Sequence, residues 1–396
     1  MGHRLQTVRS IDAGLRRDPT ASGVPVPQKR CVLVGVRGHG GEEVYSGLLR
    51  DAMPEGFRCA ATFDFHCSCD LARCRVLQEI AFNRLVHPFV PFDMGFRVLT
   101  VDRQTDLVHV HSHPTVLRGL GARPVVFSAG SSHYHYLRYY EGWSDDQIDS
   151  AYMRARKLYR RLGVLDALLN HERITLAYTF SRWAREKYLL DGVPEWKIRV
   201  LPPGFDIPEP AALTQRETVT FLFLGRQPKR KGGDMILEAF ARLRSSHPGA
   251  RLLYVSDELP ASPMEGVETR SLVSAAEVGE LYRAADVFVN PTRAEGFGFT
   301  NVEAQGHGRP VISSRLGAIP EVVEEGRTGM LIDPRGPDEL FSAMMRFAAD
   351  QGLRRTMGAA ARRRFVDCFS IKVFRSALGD LYAESFERAR HSTLNE

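Results

Sequence analysis

DVFVNPTRAEGFGFTNVEAQGHGRPVISSRLGAIPE, residues 286–321, is the stretch on which the reading of this chain turns. Asp286 to Asn290 is a β-branched, aromatic run ended by Pro291, which predicts a strand that stops there. The glycine-rich EGFG at 295–298 then reads as a loop. Thr300, with Glu303 three residues on, reads as the N-cap of a short helix over 301–307, closed by Gly308 and Pro310. Strand, glycine loop and helix in that order outline a cradle for phosphate.

Such a turn suits an anion because the helix start carries unpaired N–H groups and a positive dipole end, and glycines let a ligand approach the backbone. Glu295 precedes the helix and Glu303 lies within it. One carboxylate can face a sugar ring while the other accepts from both hydroxyls of a ribose diol. Each feature also has a plainer reading. Glu303 fits a capping box with Thr300, and the glycines fit an ordinary turn. The two in register favour a ligand.

The pattern E-G-F-G-x-x-x-x-E, followed by a small-residue helix, R-P-V-I and G-A-I-P-E, resembles the donor half of the retaining GT-B glycosyltransferases of family 4. The resemblance implies an α/β chain of two Rossmann-like domains facing a central cleft. After a loose tail at 1–27, an acceptor domain is expected over 28–208 and a donor-nucleotide domain over 216–370, with a carboxy-terminal helix over 371–392 crossing back to the first. It also implies that Glu295 contacts donor-sugar hydroxyls and that Glu303 holds the ribose. Gly296, Phe297 and Gly298 would present backbone N–H groups to sugar and phosphate.

TVTFLFLGR at 218–226 opens the second half, and QPKRKGG leads into a helix, DMILEAFARLRSS. Arg226 and Lys231 have the spacing of the family's G-R-x-x-x-x-K-G element, which binds the donor diphosphate. Fixed cations there would stabilise charge growing on the leaving phosphate without a metal. A basic loop facing water, with Lys229 and Arg230 alongside, is the plainer reading. RLLYVSDE at 251–258 predicts a strand, with Ser256 and Asp257 where the family usually has Gly-x-Gly. Ser274 and Glu277 form a capping box ahead of the next helix. By the resemblance, the backbone around Leu272 and Val273 meets the base.

In the amino-terminal half, CVLVGV at 31–36 predicts a buried strand, and Gly38, Gly40 and Gly41 a second strand-to-helix loop before a helix near Glu42. The resemblance places Gly40 and Gly41 opposite the donor site. CAATFDF at 59–65 predicts a strand and 71–86 a helix. DLVHVH at 106–111 predicts a strand that aligns His109, His111 and His113 on one face. Three aligned histidines invite a metal; a plain strand is the preferred reading, because no further ligand is near in sequence. PVVFSAG at 124–130 follows. Many family members carry a histidine at this strand's end, against the donor sugar; here Ala129 and Gly130 stand, and His133, three residues along, is the candidate substitute for that sugar or acceptor contact.

Residues 144–162 begin acidic and end basic, as a dipole-matched helix should. Arg154, Lys157 and Arg161 share a face, with Arg156 and Arg160 adjacent. These five form either a solvated face or a patch for anionic lipid or a phosphorylated acceptor. ITLAYTF at 174–180 predicts a strand, Ser181 caps the next helix, and KIRVLPPGFD at 197–206 resembles the interdomain boundary.

The 396 residues are 43% hydrophobic, enough for two cores. A net charge of +6 is dispersed; it fits anionic ligands or a phospholipid surface and does not argue for nucleic acid. No apolar run approaches the roughly 18 residues of a membrane-spanning helix, and residues 1–27 hold no signal-like segment. Six cysteines in such a chain read as reduced thiols, so a cytoplasmic protein, with any membrane contact on that face, is expected. His66, Cys67, Cys69 and Cys74 cluster without a C-x-x-C pair, so thiols are preferred over zinc and no metal ligand is assigned.

The expected function is therefore retaining transfer of a sugar from a nucleoside-diphosphate donor to a hydroxyl or amine of a glycan, lipid or small metabolite. The donor, a UDP- or GDP-sugar, is a co-substrate, and no other cofactor is expected. The alternatives are a GT-B sugar-nucleotide epimerase or hydrolase, and a non-catalytic sugar-nucleotide-binding protein.

Overall fold

The computed structural model describes residues 28–35, 41–63, 97–112, 115–130, 138, 142–163, 171–190, 192–209, 218–271 and 273–394. Its strands are β1 (Lys29–Val34), β2 (Phe57–Phe63), β3 (Arg97–Thr100), β4 (Leu107–His111), β5 (Thr115–Arg118), β6 (Val125–Ala129), β7 (Leu176–Thr179) and β8 (Ile198–Val200) in the first half. The second half holds β9 (Thr220–Leu224), β10 (Arg251–Val255), β11 (Val267–Arg270), β12 (Val287–Asn290), β13 (Val311–Ser314) and β14 (Gly329–Ile332). They form two six-stranded sheets, ordered β2-β1-β4-β6-β7-β8 and β11-β10-β9-β12-β13-β14, with β3 and β5 as a separate pair.

Pairing is parallel throughout, from Leu33 opposite His109 in the first sheet to Val289 opposite Ile312 in the second. Strands covered on both faces must be apolar along their whole length, and LVHVH and VFVN are buried at every position. In each sheet the chain winds outward one way and then the other. The second sheet reverses between β9 and β12, and a crevice opens beyond the carboxyl ends of the strands at such a switch point.

The helices are α1 (Gly41–Asp51), α2 (Asp145–Leu162), α3 (Arg182–Leu190), α4 (Pro228–Lys231), α5 (Gly233–Arg244), α6 (Ala275–Ala284), α7 (Phe299–Gly306), α8 (Ile319–Val322), α9 (Pro337–Ala349), α10 (Gln351–Cys368) and α11 (Ile371–Leu394). Ser181 starts α3 by accepting from Ala184 N at 3.0 Å, and Ser144 starts α2 by accepting from Gln147 N at 3.3 Å. Ser274 and Glu277 form a full capping box on α6.

One hydrophobic cluster joins the two halves, taking in Tyr45, Phe180 and Phe205 from the first and Phe297, Phe365 and Phe369 from the second. Burial of each such ring stabilises by about 1.5–3 kcal/mol. The joint is tight: a Cβ on Gly204 would lie 2.3 Å from Phe374 Cβ, so the linker can press on α11 only without a side chain there. Phe205 is held between Phe369 O at 2.8 Å and Ile371 N at 2.9 Å. Helix α11 then lies along the first half, where Arg375 Nη2 donates to Asp51 O at 3.0 Å and Arg199 pairs with Glu384.

The structure departs from the sequence expectations at the decisive helix. It runs over Phe299–Gly306, and its N-cap is Gly298 in the left-handed region at φ 90°, with no side-chain cap. Thr300 is not the N-cap and Glu303 closes no capping box; the glycine turns the chain earlier, and Thr300 falls inside the first turn. QPKRKGG contains a helical turn, α4, bounded by left-handed Gln227 and Gly232. Strands β3, β5 and β11 carry too little apolar pattern to have been anticipated.

Candidate active site

Two loops leave the second sheet at its switch point, one after β9 and one after β12. The first carries Arg226 and Lys231, the second Glu295 to Gly298. The structure brings them together: Lys231 Nζ bonds Glu295 Oε2, with the two side chains 12% and 15% exposed. At that burial a pair is far less screened than one on the surface.

Glycine makes the approach possible. A Cβ on Gly232, which sits at φ 78°, would lie 2.1 Å from Pro291 O, so the lysine loop packs directly on the end of β12. The stem of Lys231 runs along Gly225, where a Cβ would come 3.1 Å from Lys231 Cγ. Arg226, next to it, is exposed and pairs with no described residue. Arg230 stitches the loops by donating to Ala294 O at 2.8 Å, and Arg293 by a two-pronged pair with Asp234 at 2.7 and 2.9 Å.

Beyond Glu295, Phe297 is buried and Gly298 starts α7 without a side-chain cap; Asn301 N donates to Gly298 O at 3.0 Å, so the amides of Phe299 and Thr300 are the ones left for an anion. The helix is oriented from below by a buried network that sequence reading missed. Asn290 Nδ2 donates to Asn301 Oδ1 at 3.2 Å, Asn301 Nδ2 reaches Ser313 Oγ at 3.2 Å, and Ser313 Oγ donates to Asn290 O at 2.9 Å. The available signal was polar residues inside apolar strands.

Glu303 lies one turn along α7, 3.2 Å from the Tyr282 hydroxyl, which also lies 3.1 Å from Thr300 O. Its residue retains some exposure, while protein packed around the carboxyl pushes its pKa up to about 7. His307 stacks on Tyr282 with centroids 5.1 Å apart, and burial with nearby arginines pushes its pKa down to about 4. Val273 is half-buried at the start of α6; Leu272 lies outside the described residues.

On the first half, Gly41 opens α1, whereas Gly40, His113 and His133 lie outside the described residues, as does the cluster from His66 to Cys74. His109 and His111 are core groups. His109 bonds Tyr382 OH at 2.8 Å and Ser128 Oγ at 2.9 Å, and His111 Nδ1 bonds Ser128 Oγ at 2.9 Å. Burial, and then His111, push the pKa of His109 down to about 3, so it stays neutral. Among the described residues, no group of His, Cys, Asp or Glu is arranged to hold a metal ion. In α2, Lys157, Arg160 and Arg161 are exposed and Arg156 is half-buried.

The family model for glycosyl transferases group 1 matches residues 218–350, which contain both loops. The match lies wholly within the second domain of this chain. The chain is 30% identical over 228 residues to D-inositol 3-phosphate glycosyltransferase of Acidothermus cellulolyticus, covering 49% of each. It is 32% identical over 163 residues to the protein of that name from Thermobifida fusca, covering 36% of this chain and 38% of that one. It thus spans about half or less of the length of the curated relatives it matches. Among solved structures, sucrose-phosphate synthase of Thermosynechococcus elongatus aligns at TM-score 0.62 and 18% identity, over 91% of this chain and all of that one. Anabaena HepE in complex with UDP-glucose aligns at TM-score 0.59 and 16% identity, over 89% and 99%. These establish the fold as GT-B, two Rossmann-like domains. No described helix is long and apolar enough to cross a membrane.

Proposed function

We propose that this protein moves a sugar from a nucleoside diphosphate to an acceptor hydroxyl or amine, with retention at the anomeric carbon. The observation that carries the reading is the contact of Lys231 with Glu295 beside the open start of α7. A donor entering that junction sets its diphosphate on Lys231, Arg226 and the α7 N–H groups, and its sugar hydroxyls on Glu295. The bond that breaks, from the anomeric carbon to the diphosphate oxygen, then spans the pair. Charge growing on the leaving oxygen meets cations already in place. Glu303, ionised, accepts from the ribose diol, and Gly296 to Gly298 offer backbone to sugar and phosphate. Val273 is assigned to the base, and Gly40, Gly41 and His133 are assigned to the donor and its sugar by the resemblance alone, Gly40 and His133 lying outside the described residues.

No carboxylate is assigned as a nucleophile. Retention therefore comes from front-face attack, in which the acceptor oxygen enters on the side the diphosphate leaves and gives up its proton to the departing phosphate oxygen. The protein contributes positioning and electrostatics. UDP-sugars are the first donors to test, because structural neighbours were crystallised with UDP and UDP-glucose. The exposed cations of α2 are proposed as a docking patch for anionic lipid or a phosphorylated acceptor.

The test is a thermal-shift screen over UDP-, GDP-, ADP- and dTDP-sugars, followed by proton NMR of the best donor with candidate acceptors. The reading predicts stabilisation by one nucleotide and a product with the donor's anomeric configuration. Free sugar or an epimerised nucleotide sugar as the sole product supports the epimerase or hydrolase alternative, and unconsumed donor supports a binding protein.

A further inference from the structure

The α8 turn of the second domain reaches across the cleft. Glu321 Oε2 accepts from Arg182 N at 2.9 Å and Glu321 Oε1 from Trp183 N at 2.7 Å, at the start of α3 in the first domain. Ser181 already caps the third amide of α3 through Ala184 N. The first two amides of that helix are thus satisfied by a carboxylate from a segment some 139 residues away in sequence. Charge-assisted bonds at a helix start, aided by its dipole, are the strong kind of polar contact.

The segment that carries Glu321 also rests on the sugar loop. Gly317, at φ 58°, lies so close to Glu295 that a Cβ would stand 2.5 Å from its carbonyl oxygen, and Ala318 N donates to Gly296 O at 3.3 Å. From behind, Arg364 holds the same turn: its Nη2 donates to Glu321 O and its Nε to Val322 O at 2.8 Å. One short rigid segment therefore touches the first domain with its side chain and the candidate sugar loop with its backbone.

We infer that Glu321 is a positioning residue for sugar transfer: by capping α3 it holds the two domains closed and fixes the backbone of Glu295 and Gly296 for reaction. This rests on the transferase reading above. When the cleft opens, the two α3 amides turn to water and the 317–321 segment, still held from behind by Arg364, loses its contact with the first domain. Closure thus braces, from the first domain, the segment on which the sugar loop rests.

The experiment compares wild type with Glu321→Ala, Glu321→Gln and Arg182→Pro. Proline is tolerated in the first turn of a helix, and here it deletes, from the opposite side of the cleft, one of the two N–H donors together with the Arg182 guanidinium that stands 3.5 Å from Glu321 Oε2. The readouts are kcat and KM with the best nucleotide sugar, UDP affinity, and radius of gyration by small-angle scattering with saturating UDP. Expected are a fall in kcat of about 10- to 100-fold in Glu321→Ala, as for a small misplacement of reacting groups, UDP affinity within about threefold, and a larger radius of gyration. Glu321→Gln should recover part of the rate, and Arg182→Pro with Glu321→Ala should cost less than the sum of the two, as coupled sites do. An unchanged kcat and radius overturn the inference. So does a loss of UDP affinity and melting temperature at unchanged radius, which marks a local folding role. If the wild type turns over no nucleotide sugar, the transferase reading falls, and the scattering comparison alone still decides whether Glu321 closes the cleft.

Discussion

The two halves of the molecule use polar residues around their parallel sheets in opposite ways. In the second, Lys231 and Glu295 meet in a crevice framed by glycines, with open helix amides beside them. In the first, His109, His111, Ser128 and Tyr382 are fully bonded to one another inside the core. Both sets are polar groups at parallel sheets, yet one is placed where a ligand can reach it and the other is consumed by the fold. Burial with satisfied partners rigidifies; partial burial with an open neighbour binds.

That contrast is broken most decisively by removing the presented groups. Lys231→Ala and Glu295→Ala should each lower kcat by about 10²- to 10³-fold, the usual cost of losing one preorganised charge partner, while still melting cooperatively. Steady-state rates with the stabilising nucleotide sugar check this, and near-normal rates in either variant would refute the assigned roles. Next in size is Glu321→Ala, whose kcat loss should appear without a matching loss of UDP affinity. In the first half, Tyr382→Phe leaves His109 Nδ1 without its buried partner. It should destabilise by about 1–3 kcal/mol, visible as a lower denaturant midpoint with unchanged kcat; a rate loss with unchanged stability would show that the core network belongs to the site.

The smallest effect is a pH slope. The pKa of Glu303 stands at about 7, above its ordinary 4.5, because burial disfavours the carboxylate. Between those values the folded chain holds a proton that the unfolded chain has released, so stability falls as pH rises through the window and levels off above it. His307, kept neutral down to about 4, slopes the other way at its lower end, so the informative quantity is a difference. Glu303→Gln should remove the fall in melting temperature from pH 5 to 7 relative to the parent; an identical slope in both proteins would place the titration elsewhere.

How much of this was legible in the sequence follows the same divide. The glycine loops and their charged residues were readable because each is a short local pattern whose spacing has a mechanical reason, and the alternating strands and helices gave the two sheets. The cap of α7 was misread because Thr300 offers a side chain where the chain instead used the left-handed freedom of Gly298. The contact of Glu321 with α3, and that of Tyr382 with His109, join residues 139 and 273 positions apart, and no local pattern announces them.

A structure of the protein with a bound UDP-sugar addresses the central claim most directly. The account predicts diphosphate oxygens within about 3 Å of Lys231 Nζ and of the first amides of α7, with sugar hydroxyls on Glu295 and the ribose diol on Glu303. A diphosphate lodged away from the β9–β12 switch point, with Lys231 and Glu295 still bonded only to each other, would contradict it.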